Sequence, residues 1–249
     1  MTETAPAFAV AHDGWGELVL SRPERKNAVI GPMAVALREG LKELMQQKAR
    51  VIVLRGEGGA FCSGLDIDAF NAKPAPDWFA SFGEQWMAWH VDLYRCPAVI
   101  ICALERYAIN GGASMALGSD LLIAGEKSYV LVGEATQGAP APMNLAWLRL
   151  RASEAVIAQL TLTARRFHGP ELHRLGLALD VVPDADVLAR ARELAAQMAK
   201  FPGTGLLSTK YAMRRLGPAG DGADWFNRSR ERPPEAGEWS PQRQRVSRE

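Results

Sequence analysis

The chain has 249 residues, 48% of them hydrophobic and 23% charged, with 29 Lys and Arg against 28 Asp and Glu for a formal net charge of +1. That length fits one large domain, or one domain with an appendage, and the composition is too apolar for a disordered chain. The charge balance gives no global field for nucleic acid or an anionic membrane, and the longest apolar run, Ala98–Leu104, is far short of the ~20 residues a membrane helix needs.

The opening MTETAPAFAV has no positive start followed by a hydrophobic stretch, so no secretory signal is read there. Three cysteines, Cys62, Cys96 and Cys102, form no CxxC pair and leave an odd thiol under any pairing, which suits reduced thiols in a cytoplasmic protein. The four histidines have no zinc-ligand spacing, and His168 and His173 read as surface residues.

In chain order, Phe8–His12 and Glu17–Ser21 read as a β-hairpin around Asp13-Gly14-Trp15-Gly16. RPERKNA is a polar loop. Met33, Leu37, Leu41, Leu44 and Met45 repeat at helical spacing from Pro32 to Ala49, and Val51–Arg55 is a short buried strand. GEGGAFCSGLD is a glycine-rich loop, with a short helical turn from Asp66. An aromatic-rich helix is expected over Trp78–Tyr94, where Phe79, Phe82 and Trp86 suit an acyl pocket or a core equally. Ala98–Leu104 is a strand, and Gly111-Gly112 opens a helix to Leu117.

Strands are then expected at Asp120–Ala124, Tyr129–Val132 and Leu179–Val182. Helices are expected near Asn144–Leu150, Ser153–Leu162, Pro170–Leu175, Asp184–Lys200 and Thr204–Leu216. Alternating strands and helices predict an α/β core with parallel pairing. Three regions result: a core at 1–183, a helical region at 184–216, and a Pro/Gly/Arg-rich tail at 217–249. The tail is poor in aliphatic residues, so partial disorder is predicted, with Trp225, Phe226 and Trp239 as its possible anchors.

Two glycine-rich stretches suit chemistry, Gly56–Asp66 after a strand and Asn110–Gly112 before a helix. Glycine permits close backbone approach, and free N–H groups at a helix start favour negative charge. Two such groups converging make an oxyanion hole; two tight turns are the plainer alternative. There is no GxxxxGK[ST], and no GxGxxG opens a helix after the first strand. Gly112-Ala113-Ser114-Met115-Ala116 approaches the nucleophile elbow GxSxG, a weak hydrolase signal that would need His168 or His173 at Ser114.

RPERKNA (22–28), VIVLRGEGGAFCSGLDI (51–67), INGGASMALGSDLLIAGEKSYV (109–130) and LTARRFHGPELHRLGLALDVVP (162–183) together resemble the enoyl-CoA hydratase/isomerase, or crotonase, superfamily. The resemblance runs in order from about Phe8 to Leu216. It implies a spiral of ββα repeats with a helical C-terminal region, assembled as a homotrimer or hexamer. It also implies an acyl-CoA thioester substrate, with coenzyme A as part of that substrate and no metal, flavin or nicotinamide cofactor.

By the same resemblance, the oxyanion donors are the backbone N–H groups of Leu65 and Gly111. The later of the family's two catalytic glutamates is Glu134, and Ser114 stands where the earlier one usually lies. A single glutamate suits a Δ3,Δ2-enoyl-CoA isomerase, and APMNLAWL resembles the segment after that glutamate in mitochondrial isomerases. An enoyl-CoA hydratase with Ser114 placing water, or a CoA-ester-binding homologue without catalysis, remain the alternatives. CoA contacts are implied at Lys26, Ala28, Gly64, Asp66, Ile67 and Lys210, with Asp66 also read as a helix cap. Glu105-Arg106 replaces the family's Asn-Gly, Leu65 replaces its common alanine, and the usual C-terminal signature is missing.

Overall fold

The computed structural model describes residues 5–231. It begins with a hairpin, β1 (Ala7–Ala11) and β2 (Trp15–Leu20), paired antiparallel. Helix α1 (Gly31–Gln46) buries Met33, Leu37, Leu41 and Leu44 along one face, and β3 (Val51–Gly56) follows. After the short α2 (Ile67–Phe70) comes α3 (Phe82–Arg95), which starts later than Trp78. Trp78 instead packs against the Cα of Gly31, where an added Cβ would lie 2.8 Å from the indole, so this stretch turns across the start of α1.

The next elements explain the spiral. β4 (Val99–Leu104) is followed by β5 (Tyr107–Ile109) and α4 (Gly111–Gly118), then β6 (Leu121–Gly125) by β7 (Tyr129–Leu131) and α5 (Pro142–Arg149). The first strand of each repeat joins a six-stranded sheet and the second joins a three-stranded sheet. Helix α6 (Glu154–Leu162), β8 (Phe167–His168), α7 (Gly169–Arg174) and β9 (Asp180–Val182) complete the winding. The large sheet runs β1-β2-β3-β4-β6-β9, parallel from β2 onward. Such parallel pairing needs helical crossovers and both faces covered.

One face of that sheet packs on α1, α3 and α4. The other is closed by α8 (Val187–Ala199), whose Val187, Ala191, Ala195 and Met198 meet Val51, Val53, Ile101 and Ile123. Helix α9 (Gly205–Leu216) follows, and Lys210 is its only buried residue. No helix among the described residues is long and apolar enough to cross a membrane.

Within residues 217–231, the described part of the tail, two of the anchors read from the sequence, Trp225 and Phe226, are seated on the protein body. Residues 223–228 form α10 (Ala223–Arg228), and Phe226 is fully buried against Trp147, His90 and Tyr94. Trp225 donates its indole N–H to the Ala146 carbonyl at 2.9 Å. Trp239 lies outside the described residues.

Candidate active site

The loop carrying Leu65 is fixed by its pairing with Val29. Val29 donates to the Gly64 carbonyl at 2.7 Å, and Asp66 donates to the Val29 carbonyl at 3.0 Å. Both bonds use residues flanking Leu65, so the Leu65 N–H points away from Val29. Gly64 has φ 95°, and a Cβ there would come within 2.9 Å of the Ile109 carbonyl. Across the seam, a Cβ on Gly112 would meet the Cys62 carbonyl at 2.6 Å. These two glycines let the Leu65 loop press directly on the start of α4.

Gly111 is the first residue of α4, where N–H groups have no intrahelical acceptor. Among the described residues, neither the Leu65 nor the Gly111 N–H donates to another group. Both residues line one cavity of about 390 Å3, together with Ser114 and Glu134. Apolar walls come from Ile67, Phe82, Trp86, Met87, Ile109 and Met143. Phe82 and Trp86 therefore face the cavity, whereas Phe79 is exposed and Trp89 is core.

Glu134 begins a short 3-10 turn (Glu134–Gln137). Asn144 donates to its Oε1 at 2.8 Å, and Oε2 is buried without a hydrogen-bond partner. Burial pushes the carboxyl above the usual glutamate range, against the opposing pull of its own backbone N–H and the Asn144 amide. Asn110 ties the two halves of the site together. Its Oδ1 accepts from Gly133 N–H at 2.8 Å, and its carbonyl accepts from Asn144 at 3.1 Å. Its backbone, at φ 49° and ψ −109°, is one that residues bearing a Cβ seldom adopt. At Glu105-Arg106 the chain makes a left-handed turn, with Arg106 at φ 54°.

Ser114 is buried and fully engaged. Its hydroxyl donates to the Gly111 carbonyl at 2.7 Å and lies 3.3 Å from His90 Nε2. Trp147 donates its indole N–H to His90 Nδ1 at 2.9 Å. Burial holds the His90 pKa down at about 3, so the ring is neutral and its one proton sits on Nε2, facing Ser114. A histidine that donates to a serine cannot take the serine's proton. His168 and His173 are exposed, as expected from sequence, and neither reaches Ser114. The nucleophile-elbow reading is thereby removed.

The expected CoA contacts divide. Lys26, Ala28, Asp66 and Ile67 line a second cavity of about 250 Å3, which shares Ser63, Leu65 and Ile67 with the first. Gly64 shapes the junction but lines neither. Asp66 caps α2 by accepting from Ala69 N–H at 3.2 Å. Its carboxylate is also gripped by Arg25 at 2.8 Å and Arg22 at 3.0 Å, and Arg25 foremost holds its pKa down to about 2. Asp66 therefore fastens the loop to RPERKNA, and its oxygens are already occupied.

Lys210 does not belong to the site. Its ammonium is buried 2.6 Å from both Asp120 Oδ2 and the Ala98 carbonyl, which holds it inside the protein body. Of the supporting residues, Asn110 was read only as the start of a glycine stretch, and His90, Asn144 and Trp147 escaped sequence reasoning. None sits at a spacing that marks it, and their roles depend on contacts between distant elements.

A family model described as enoyl-CoA hydratase/isomerase matches residues 12–216. The 1,2-epoxyphenylacetyl-CoA isomerase of Escherichia coli (strain K12) is 31% identical over 213 residues, covering 83% of this chain and 81% of its own length. The carnitinyl-CoA dehydratase of Proteus mirabilis (strain HI4320) is 31% identical over 186 residues, covering 74% and 70%. An enoyl-CoA hydratase from Polaromonas sp. JS666 superposes with a TM-score of 0.78 at 25% identity, covering 89% of this chain and 90% of that one. A Thermobifida fusca YX protein in complex with acetoacetyl-CoA gives 0.76 at 26%, covering 90% and 93%.

Proposed function

Because this chain belongs to the enoyl-CoA hydratase/isomerase family, and so to the enzymes that act on acyl-CoA thioesters, we propose that it is a Δ3,Δ2-enoyl-CoA isomerase working through Glu134 alone. One observation carries the choice: among the described residues the cavity holds a single ionisable base, and Ser114, which lines the same cavity, is already bonded to Gly111 and His90. In this reaction the thioester carbonyl sits between the Leu65 and Gly111 N–H groups. Glu134 Oε2 takes a proton from C2 of a 3-enoyl-CoA. The electron pair delocalises through C2 and the C3–C4 double bond onto the carbonyl oxygen, as a dienolate. The same carboxyl returns the proton to C4, leaving a C2–C3 double bond.

The site suits each step. Charge that develops on one oxygen meets two preorganised donors, and loss of one such donor typically costs about 10²–10³ in rate. A carboxyl raised by burial lies closer to neutrality, which favours both taking and returning a proton. Asn144 holds Oε1 and leaves Oε2 as the proton carrier. Proton transfer and oxyanion stabilisation account for every step, so the proposal includes no metal, flavin or nicotinamide.

Hydration is the second reading, favoured by relatives that carry the names hydratase and dehydratase. It requires a water placed opposite Glu134, and Ser114 is the residue available to hold it. Ser114→Ala separates the two. The isomerase keeps nearly full turnover of a 3-enoyl-CoA, while its melting temperature falls because the His90 N–H loses its acceptor, a loss of about 1–3 kcal/mol. Selective loss of hydration in this variant would favour the hydratase instead.

The proposal extends to a homotrimeric or hexameric cytoplasmic enzyme. Tyr211, Met213 and Leu216 on α9 are 66%, 63% and 89% exposed, which leaves an apolar surface of the kind subunits cover.

A further inference from the structure

We infer that the acyl chain of the substrate carries a carboxylate, and that Arg230 binds it. The inference rests on the reading above for where the thioester sits. Among the described residues lining the 390 Å3 cavity only Glu134 and Arg230 are charged, and the rest of the wall is mostly apolar. Arg230 arrives on the segment after α10, which is pinned by buried Phe226 and by the Trp225 bond to Ala146. Arg230 N–H also donates to the Asn227 carbonyl at 3.0 Å, continuing that anchored turn.

The guanidinium lies against α3. One of its terminal nitrogens is 3.7 Å from Met87 Sδ, and the other is 3.6 Å from where a Cβ on Gly83 would stand. It forms no ion pair among the described residues, although Glu84 and Glu231 are near in sequence to its contacts and to itself. Nor does it act on Glu134, whose carboxyl stays raised with only its own backbone and Asn144 opposing burial. The cation is thus offered to the cavity rather than spent on the catalytic base.

Direction completes the argument. The second cavity, with Lys26, meets the first at Ser63, Leu65 and Ile67 and does not include Arg230. A thioester held at Leu65 with its CoA arm passing Lys26 sends its acyl chain the other way, past Phe82, Trp86 and Met87. Arg230 is exposed and stays hydrated without a ligand, and at that end its planar guanidinium can match a carboxylate with two parallel hydrogen bonds that a methyl terminus cannot make.

The test is calorimetric binding of saturated esters, which needs no turnover. Hexanoyl-CoA is compared with adipoyl-CoA, and octanoyl-CoA with suberoyl-CoA. We expect the dicarboxylic ester of at least one pair to bind about 2- to 5-fold tighter, the range of an ion pair to an exposed, hydrated guanidinium. Arg230→Gln should abolish that preference and leave the monocarboxylic esters unchanged, and Arg230→Lys should restore part of it. No preference in either pair would overturn the inference. So would a preference that survives Arg230→Gln, or equal weakening of both esters. A clear preference in a protein that isomerises no 3-enoyl-CoA would retain the Arg230 site and sink the isomerase reading alone.

Discussion

Replacing Glu134 by Gln is expected to lower turnover of a 3-enoyl-CoA by about 10²–10⁴, the usual range for a general acid–base group. The amide keeps the shape of the side chain and can still meet Asn144, but it cannot accept a proton from C2. Affinity for a saturated acyl-CoA should change little, since the carboxylate acts in the transition state rather than on the bound ester. The wild-type pH profile carries the same signature. Glu134 must be ionised to work, and burial sets its pKa above the ordinary glutamate range. Activity should therefore fall on the acid side, at a higher pH than an exposed glutamate would give, and that limb should disappear in the variant. Steady-state rates against pH, paired with calorimetry on a saturated ester, check both statements.

Phe226→Ala is expected to cost about 3–5 kcal/mol of stability, as for other fully buried phenylalanines. For a chain of this size that corresponds to a fall in Tm of roughly 6–20 °C. The ring packs with its centroid 5.0 Å from that of Trp147 and 6.1 Å from those of His90 and Tyr94, so its loss opens the wall behind the Trp147–His90–Ser114 chain. Truncation after Leu216 should do at least as much damage. The tail's composition alone predicts the opposite, a core indifferent to that cut. A truncated protein melting like the full chain would show that α10 contributes nothing.

The contrast between these two residues shows what the sequence could and could not disclose. Glu134, Leu65 and Gly111 could be picked out as candidates because they stand in an ordered series of motifs, and all three line one cavity. Backbone donors also tolerate side-chain change, so Leu65 in place of alanine leaves the first one intact. Most of the element order was legible from hydrophobic periodicity; the short β5, β8 and α10 were not, and α3 starts late, with Trp78 packed on Gly31.

Lys210 was not legible. Its burial depends on Asp120, which also binds Arg214 at 2.8 Å and the Ile100 N–H at 2.8 Å, a cluster no local pattern announces. A lysine on a polar helix reads as solvated until its partner is seen. Phe226 was legible as an anchor but its full burial was not, because one aromatic side chain can seat a segment whose average composition argues against packing. His90 combined both difficulties, as its neutral state and its tautomer follow from burial and from Trp147.

The central claim is that one carboxylate moves one proton along one face of an enoyl thioester. Its most direct test is the purified protein's rate on 3-hexenoyl-CoA beside its rate on 2-hexenoyl-CoA. The account predicts conversion of the 3-enoyl ester to the 2-enoyl ester, with hydration of the latter slower by orders of magnitude. Rapid formation of 3-hydroxyhexanoyl-CoA from 2-hexenoyl-CoA, without isomerisation of the 3-enoyl ester, would contradict it.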